Sequence, residues 1–154
     1  MKTEFRRALL PAELKALVAF DRKVFLAPDC FDPEYWLACD AWWLLVSGRK
    51  IGCCAFERPR PKARTLYIAT TAILPGNRGL GYGRLMKAWQ IVYANAHGYR
   101  RLTTHTRKSN RAMIALNRAF GFKLVKTVPG YYINPVEPGV FMELRLTGKP
   151  VPHS

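Results

Sequence analysis

Residues 75–84, PGNRGLGYGR, combine residue types and spacing that could bind a charged ligand. Glycine recurs at alternate positions, as Gly79, Gly81 and Gly83, between an apolar run and a helix-like stretch that begins LMKAWQ. A loop without side chains leaves its backbone N–H groups uncovered, and the helix start adds unpaired donors and the positive end of a dipole. The pattern predicts an anion site, most often one for phosphate, although it also suits a flexible surface turn.

Two common phosphate-binding fingerprints do not fit this loop. A dinucleotide-binding GxGxxG needs a glycine at position 84 or 86, where the chain has Arg84 and Met86. A P-loop needs a lysine after the last glycine of GxxxxG, but Tyr82 follows Gly81. The pattern that remains is R-x-x-G-x-G at 78–83.

Positive charge is concentrated around the same loop. The chain has 25 Lys and Arg against 10 Asp and Glu, a net charge of +15. No Asp or Glu lies between Glu57 and Glu137, and the bases outside that segment balance the acids, so the whole excess falls within it. Such a field attracts a nucleic acid, an acidic protein surface or a cofactor with several phosphates. A solvated basic surface without a dedicated partner explains the charge equally well.

Composition narrows the class of protein. A length of 154 residues, 49% hydrophobic residues and a mean hydropathy of −0.10 indicate one globular domain, 1–154, with 147–154 as a flexible tail. No apolar run approaches the ~20 residues that span a bilayer, and the N-terminus has no cleavable apolar core, so we expect a cytoplasmic protein that does not bind a membrane. The four cysteines lack metal-ligand spacing, which predicts buried free thiols and no metal site.

Strand-like and helix-like segments alternate around the loop. A strand over 3–10, a helix from Pro11 and a short helix capped by Asp32 precede a hairpin that turns at Gly48. A β-branched strand enters the glycine loop, and a helix follows from about 80 to 97. A strand, a helix and two final strands complete the chain. The order β-α-α-β-β-β-α-β-α-β-β predicts an α/β sandwich around a mixed sheet.

This order resembles the GCN5-related N-acetyltransferase (GNAT) superfamily. Three local matches support the resemblance: I-x-P followed by R-x-x-G-x-G over 73–83, Asn110 opening the helix NRAMIALN, and Gly121-Phe122 closing it. The resemblance is strong over 65–122 and fair to residue 146. It implies a mixed, mostly antiparallel sheet flanked by helices, with strands four and five splayed, in an acetyl-CoA-dependent N-acetyltransferase.

The resemblance also implies which residues hold acetyl-CoA. The pyrophosphate would meet the loop amides, and the pantetheine arm would pair with strand four like an extra strand. The matching asparagine of the family contacts the pantetheine, so Asn110 inherits that role; a plain helix cap is the alternative. Lys108 and Arg111 are further candidates for a phosphate. The implied cofactor-binding residues are Thr71, Ala72, Ile73, Arg78, Gly79, Leu80, Gly81, Tyr82, Gly83, Arg84 and Asn110.

Acyl transfer to an amine needs a proton acceptor. Many relatives place a Glu on strand four or five, but this region has no carboxylate. His105 is the substitute, since it lies five residues before Asn110. The chain is similar to the protein N-terminal acetyltransferases of the ribosomal-protein alanine type, and these carry a Glu or His base at that position. An ordinary histidine pKa of ~6.5 suits a base near neutral pH. A hydrogen-bonded structural histidine is the alternative.

The proton donor to the departing thiolate is less defined. Relatives have a Tyr where this chain has Asn117, and a side-chain amide cannot act as the general acid that protonates the thiolate. Tyr131 or Tyr132 takes the role, or water protonates the thiolate. His105, Asn117 and Tyr132 are the candidate catalytic residues.

The resemblance implies an acceptor that is the primary amine of a small molecule or of a peptide N-terminus. Tyr131-Tyr132 is similar to the pair that closes over the peptide in N-terminal acetyltransferases, although aromatic residues there also serve packing. The tryptophans at positions 36, 42 and 43 line an acceptor cleft or, as we expect, fill the core. A basic surface favours acceptors with acidic groups.

Two other functions compete with the acetyltransferase. A CoA-binding sensor or scaffold that has lost catalysis would account for Asn117 and for the missing carboxylate. A nucleic-acid-binding module would account for the charge, but the chain has no recognisable RNA-binding or helix-turn-helix signature. The sequence leaves open the acceptor and whether the chain forms a homodimer.

Overall fold

The computed structural model describes residues 2–147. Beyond Thr147, the predicted tail lies outside the described residues. Within them, strands and helices follow one another in the predicted order. The strands are β1 (Thr3–Arg7), β2 (Cys39–Val46), β3 (Arg49–Glu57), β4 (Thr65–Ile73), β5 (Arg101–Arg107), β6 (Lys123–Tyr132) and β7 (Glu137–Arg145). The helices are α1 (Leu14–Val24), α2 (Pro33–Leu37), α3 (Tyr82–Ala96) and α4 (Arg111–Ala119).

The strands follow the order β1-β2-β3-β4-β5-β7-β6 in one sheet. The pairs β1–β2, β2–β3, β5–β7 and β6–β7 are antiparallel. β4 and β5 are parallel, because α3 provides the crossover that parallel neighbours need, and their register runs from Thr65↔Arg101 to Tyr67↔Thr103. The predicted α/β fold with a mixed, mostly antiparallel sheet is confirmed, and the short parallel ladder is consistent with splayed strands.

The chain divides into two compact units, each built from two segments. The first comprises Met1–Arg58 and Ala69–Gly83, and the second comprises Pro59–Ile68 and Arg84–Ser154. β4 therefore contributes its first four residues to the second unit and the remainder to the first. Across residues 2–147, no helix is both long and apolar enough to cross a membrane.

Aromatic side chains form the core of the first unit. Phe20 of α1 and Trp43 of β2 meet edge to face at 5.5 Å between ring centroids, and Trp36 of α2 lies in the same buried cluster. Trp36 and Trp43 are thus core residues, as predicted, whereas Trp42 is half-buried with the Arg7 guanidinium 5.9 Å from its ring centroid. The four cysteines are free thiols, and three of them are buried.

A buried carboxylate connects α1 to the segment after it. Asp21 is 2% exposed, and its Oδ2 accepts the backbone N–H of Phe31 at 2.8 Å. Burial raises the pKa of Asp21 from its ordinary value, and the N–H of Phe31 lowers it by a smaller amount. The folded state therefore favours the neutral acid more than the unfolded state does, so stability falls as pH rises from the unfolded pKa through the folded one.

We expect Asp21→Asn to unfold at the same or a higher urea concentration than the wild type at pH 7, because an amide keeps the acceptor for Phe31 without a buried charge. Asp21→Ala leaves a buried N–H unpaired and should lose about 1–3 kcal/mol. Urea unfolding of the two variants at pH 7 and pH 4 measures both effects. A loss in Asp21→Asn equal to that in Asp21→Ala would show that the carboxylate charge itself stabilises the fold.

The second unit presents opposite faces of β5 to different surroundings. Side chains alternate along a strand, so Leu102 faces the interior, where it is fully buried, while His105 and Arg107 face the other way and are half-buried. The most deeply buried apolar residues of this unit are Leu66, Ile68, Met86, Ala94, Leu102, Phe122 and Met142. The alternation sets the face on which the titratable residues of β5 lie.

Candidate active site

The glycine loop is an open backbone segment at the start of α3. A short 3-10 turn over Pro75–Asn77 follows β4, and α3 begins at Tyr82, two residues later than expected. Gly79 and Gly81 adopt φ values of +76° and +88°, which L side chains rarely tolerate. At both positions a Cβ atom would meet no other atom within 4 Å. The glycines thus serve the backbone path and leave an open surface at these two positions.

This surface suits a pyrophosphate. The first N–H groups of α3 have no acceptor within the helix, and they form the positive end of its dipole. Arg78 precedes the two left-handed glycines and Arg84 follows them, and both are exposed. The Arg84 guanidinium lies 5.5 Å from the ring centroid of Phe120. The loop has the donors and the charge that acetyl-CoA requires, and its binding role stays a prediction.

The other implied cofactor residues lie on β4 and at the start of α4. Ala72 is buried in the core of the first unit, while Thr71 and Ile73 are half-buried on the alternate face. Asn110 caps α4, since its Oδ1 accepts the backbone N–H of Met113 at 3.2 Å. The structural role of Asn110 is confirmed, and the contact with pantetheine stays a prediction.

His105 lies at the centre of an aromatic cluster in the second unit. The β5–β7 register places it opposite Phe141, with 4.7 Å between the ring centroids. Its Nδ1 is 2.8 Å from the hydroxyl of Tyr132, and its Nε2 is hydrogen-bonded to the hydroxyl of Tyr67. The hydroxyl of Tyr131 is 3.3 Å from the same Nε2. A neutral imidazole donates through one nitrogen and accepts through the other, so the two ring nitrogens can relay a proton between hydroxyls.

A bulge in β6 brings both tyrosines to His105. Val128 pairs with Gly139 and Tyr132 pairs with Glu137. Between these two pairs β6 has more residues than β7, which is a bulge in β6. Gly130 lies in the bulge with φ +64°, a conformation that favours glycine. The Tyr131 ring packs on the backbone of Gly139, where an added Cβ would lie 3.0 Å from the ring. The bulge and this close approach direct Tyr131 to the site.

Charge and burial distinguish the candidate bases. Burial lowers the pKa of His105 from its ordinary value of ~6.5, so the imidazole is mostly neutral at pH 7. Glu137 is the nearest carboxylate in sequence to the tyrosine pair, and the N–H and hydroxyl of Ser109, followed by Arg107, lower its pKa. A carboxylate held in its ionised form by several donors is a poor proton acceptor, which favours His105.

Asn117 is an interior residue of α4. Its side chain is 1% exposed, and its Nδ2 lies 3.8 Å from Sδ of Met142. Its Oδ1 is buried and has no hydrogen-bond partner among the described residues. Its backbone oxygen accepts the N–H of Phe122 at 3.0 Å, which ends the helix. These contacts favour a packing role, and a part for Asn117 in catalysis stays a prediction.

Several residues of the cluster cannot be found from local sequence patterns. Tyr67 lies on β4, and only the parallel pairing of β4 with β5 brings it near His105. Phe141 depends in the same way on the register of β7. Arg107 and Glu137 form an ion pair across β5 and β7, at 3.2 Å from Nη1 to Oε2. The one local signal was Glu137 itself, which ends the long stretch without a carboxylate.

Comparison with known families gives a match over most of the chain. The family described as "Acetyltransferase (GNAT) family" matches residues 11–122. An uncharacterized N-acetyltransferase of Schizosaccharomyces pombe is 31% identical over 96 residues, which are 62% of this chain and 50% of that protein. The chain therefore matches about half the length of this curated relative.

Solved structures share the fold across nearly the whole chain. The ribosomal-protein-S18-alanine N-acetyltransferase from Escherichia coli has a TM-score of 0.82 at 17% identity, with 99% of this chain and 97% of that chain covered. An N-acetyltransferase from Staphylococcus aureus has a TM-score of 0.78 at 22% identity, covering 96% and 100%. A Salmonella typhimurium protein solved with its cofactor acetyl-CoA has a TM-score of 0.77 at 18% identity, covering 100% and 99%.

Proposed function

Because the chain belongs to the GNAT family of acetyltransferases, we propose that it is an acetyl-CoA-dependent N-acetyltransferase that acetylates a primary amine by direct attack. The acceptor is the amine of a small molecule or of a peptide N-terminus. One observation carries the proposal: His105, with a lowered pKa, is hydrogen-bonded at its two ring nitrogens to the hydroxyls of Tyr67 and Tyr132. This is a neutral base with a proton donor beside it.

The chain's own residues supply the proton transfers. Acetyl-CoA brings the acetyl group as a thioester. His105 takes the proton that the acceptor amine loses, directly or through the Tyr67 hydroxyl, at the ring nitrogen that lacks a proton. Tyr132 gives its hydroxyl proton to the leaving thiolate and regains one from Nδ1 of His105. The net result is the transfer of one proton from the amine to the thiol, with the imidazole returned to its neutral form.

The proposed cofactor contacts use backbone more than side chains. Amides of residues 79–84 would bind the pyrophosphate, since the N–H of Arg78 already donates to the carbonyl oxygen of Pro75 at 3.3 Å. The backbone of β4 near Thr71 and Ile73 would pair with the pantetheine arm and polarise the carbonyl oxygen. Asn110 would contact the pantetheine through the part of its amide that does not cap α4. No carboxylate lies between Glu57 and Glu137 to repel the phosphates.

The surroundings of His105 constrain the acceptor. Tyr131 and Phe141 offer aromatic surface to an alkyl or peptidyl amine, and the Lys126 ammonium lies 5.1 Å from the ring centroid of Phe141. A cation beside the aromatic cluster disfavours polyamines and favours an amine that also carries an acidic group. The Escherichia coli neighbour is named for an alanine of a ribosomal protein, so peptides with N-terminal Ala belong among the candidates.

The proposal is tested in two stages with the purified full chain. Mass spectrometry of the denatured protein should detect co-purified CoA, and calorimetry should detect binding of added acetyl-CoA. A screen of amines, amino acids and peptides, with thiol release as the readout, should then find an accepted amine. Omission of the amine from each reaction is the control for thioester hydrolysis.

The two stages also separate the competing functions. Binding of CoA without transfer to any amine would support a sensor or scaffold, for which the buried Asn117 in place of a tyrosine is the supporting observation. Absence of CoA binding would contradict both, and a shift of labelled RNA or DNA on a native gel at ~0.15 M salt would then support a nucleic-acid-binding module.

A further inference from the structure

Arg107, the last residue of β5, holds the turn between β6 and β7. Its Nη2 donates to the carbonyl oxygen of Ile133 at 2.8 Å, and its Nη1 donates to that of Pro135 at 2.7 Å. Nη1 also pairs with Oε2 of Glu137 at 3.2 Å. The Arg107 side chain is only 12% exposed. One guanidinium thus satisfies two carbonyls of the turn and is itself neutralised by the first residue of β7.

The same carboxylate fixes the segment before α4. Oε1 of Glu137 accepts the backbone N–H of Ser109 at 2.9 Å and its hydroxyl at 2.8 Å. Ser109 precedes Asn110, the cap of α4. The four residues Arg107, Glu137, Ser109 and Asn110 therefore connect the turn after β6 to the helix start through consecutive contacts. We call the set of Arg107, Glu137 and Ser109 the arginine clamp.

The clamp also contacts the proposed proton donor. The Arg107 guanidinium lies 4.7 Å from the ring centroid of Tyr132, and Tyr132 is the residue directly before the clamped turn. Arg107 and His105 are two positions apart on one face of β5, so one strand carries both the imidazole and the group that holds its partner. The planar arginine guanidinium has fixed donor directions and can hold two carbonyls and a carboxylate at once, whereas the lysine ammonium is a point charge on a flexible stem.

From these contacts we infer that Arg107 is a positioning residue for acyl transfer, which keeps the Tyr132 hydroxyl on Nδ1 of His105 by clamping the turn between β6 and β7. Glu137 is the second positioning residue, because it neutralises Arg107 and ties the turn to Ser109. The two residues act through the turn, through Ser109 and through the ring of Tyr132. The inference rests on the proposed function for its effect on rate, but its geometric part is independent of that function.

The test compares Arg107→Gln with Arg101→Gln. Arg101 is the matched control, since it also lies on β5 and pairs with a glutamate of β7, Glu143, at 3.5 Å, but it is at the other end of the strand. Arg107→Gln should lower kcat at least about tenfold while the Kd for acetyl-CoA stays within twofold, because a small displacement of a catalytic group costs a large factor in rate. Arg101→Gln should stay within twofold of wild type in both quantities.

A second readout records the imidazole itself. In ¹⁵N NMR spectra of the chain without ligands, the Nδ1 signal of His105 and its titration midpoint should change in Arg107→Gln and not in Arg101→Gln. Arg107→Lys keeps the charge beside Glu137 but loses the planar guanidinium, so it should recover less than half of the kcat that Arg107→Gln loses. Arg107→Lys is measured in place of Arg107→Gln if that variant does not fold.

The outcomes are distinguishable from failure of the proposed function. A changed His105 spectrum in Arg107→Gln, in a chain that acetylates no amine, would support the clamp and contradict the acetyltransferase. An unchanged His105 spectrum would overturn the clamp whatever happens to kcat, because the inferred effect passes through the contact between Tyr132 and His105. Full rescue by Arg107→Lys would also overturn it, since charge alone would then suffice.

Discussion

His105→Gln is expected to lower kcat/KM by roughly 10²–10⁴, the usual contribution of a general base, while acetyl-CoA affinity stays within about twofold. Glutamine can keep hydrogen bonds to the tyrosine hydroxyls that surround the imidazole, but it cannot take up a proton. A loss of kcat/KM in a variant that unfolds at the wild-type temperature therefore reports proton transfer. Steady-state kinetics with an accepted amine measures the first, and thermal unfolding measures the second.

The pH dependence provides the more specific test of His105. A base must be deprotonated to act, so kcat/KM should fall as pH drops through the pKa of His105, which burial places below about 6.5. This acidic limb should be absent in His105→Gln. A second limb at higher pH, where kcat/KM rises as the acceptor amine loses its proton, should remain in both proteins.

His97→Gln is the matched control for His105→Gln. His97 follows α3, is exposed, and its Nδ1 is 2.8 Å from the backbone oxygen of Tyr93. His97→Gln should leave kcat/KM and both pH limbs unchanged. If the acidic limb survives in His105→Gln and activity stays within threefold of wild type, proton removal belongs to water or to another group.

Gly81→Asp is expected to weaken acetyl-CoA binding more than tenfold, or by about 1.4 kcal/mol. The substitution introduces a negative charge where the pyrophosphate should lie, and it adds a side chain to an open surface at φ +88°. Calorimetry with acetyl-CoA measures the loss, and unfolding in urea shows whether the fold is kept.

Two further variants separate charge from backbone strain at this loop. Gly81→Asn has the same shape as Gly81→Asp without the charge and tolerates the left-handed conformation equally well, so it should bind acetyl-CoA more tightly than the Asp variant. Gly48→Asp places the same residue at φ +80° in the turn between β2 and β3, away from the loop in sequence, and should bind like wild type. Unchanged affinity in a folded Gly81→Asp protein would exclude the loop as the pyrophosphate site.

Local patterns explain why the fold could be predicted from the sequence. Asn110 and Gly121 bracket α4 because a side-chain cap and a left-handed glycine are local devices, and the structure shows both. Boundaries shift where a tertiary contact intervenes: α1 begins at Leu14 rather than Pro11, directly after Glu13, whose Oε1 accepts the indole N–H of Trp43 on β2 at 3.1 Å. Element order follows from local signals, and exact ends depend on tertiary contacts.

The site was only partly predictable, for a physical reason. His105 could be chosen because the resemblance fixes its offset from Asn110. Its partners could not, because Tyr67 reaches it through a parallel pairing and Tyr132 through a bulge, and both depend on long-range register. The segment FKLVKTVPGYY was expected to be a plain strand, and its Pro-Gly pair was the overlooked sign of the bulge.

The division of β4 between the two units has a consequence for synthesis on the ribosome. The first unit lacks its second segment until Gly83 has been made, whereas residues 59–68 are made earlier and belong to a unit that extends through β7. At about 5–20 residues per second, the interval between Gly83 and Arg145 is roughly 3–12 seconds. Leu66 and Ile68, which are buried in the finished protein, therefore belong to a unit that is completed only at the end of that interval.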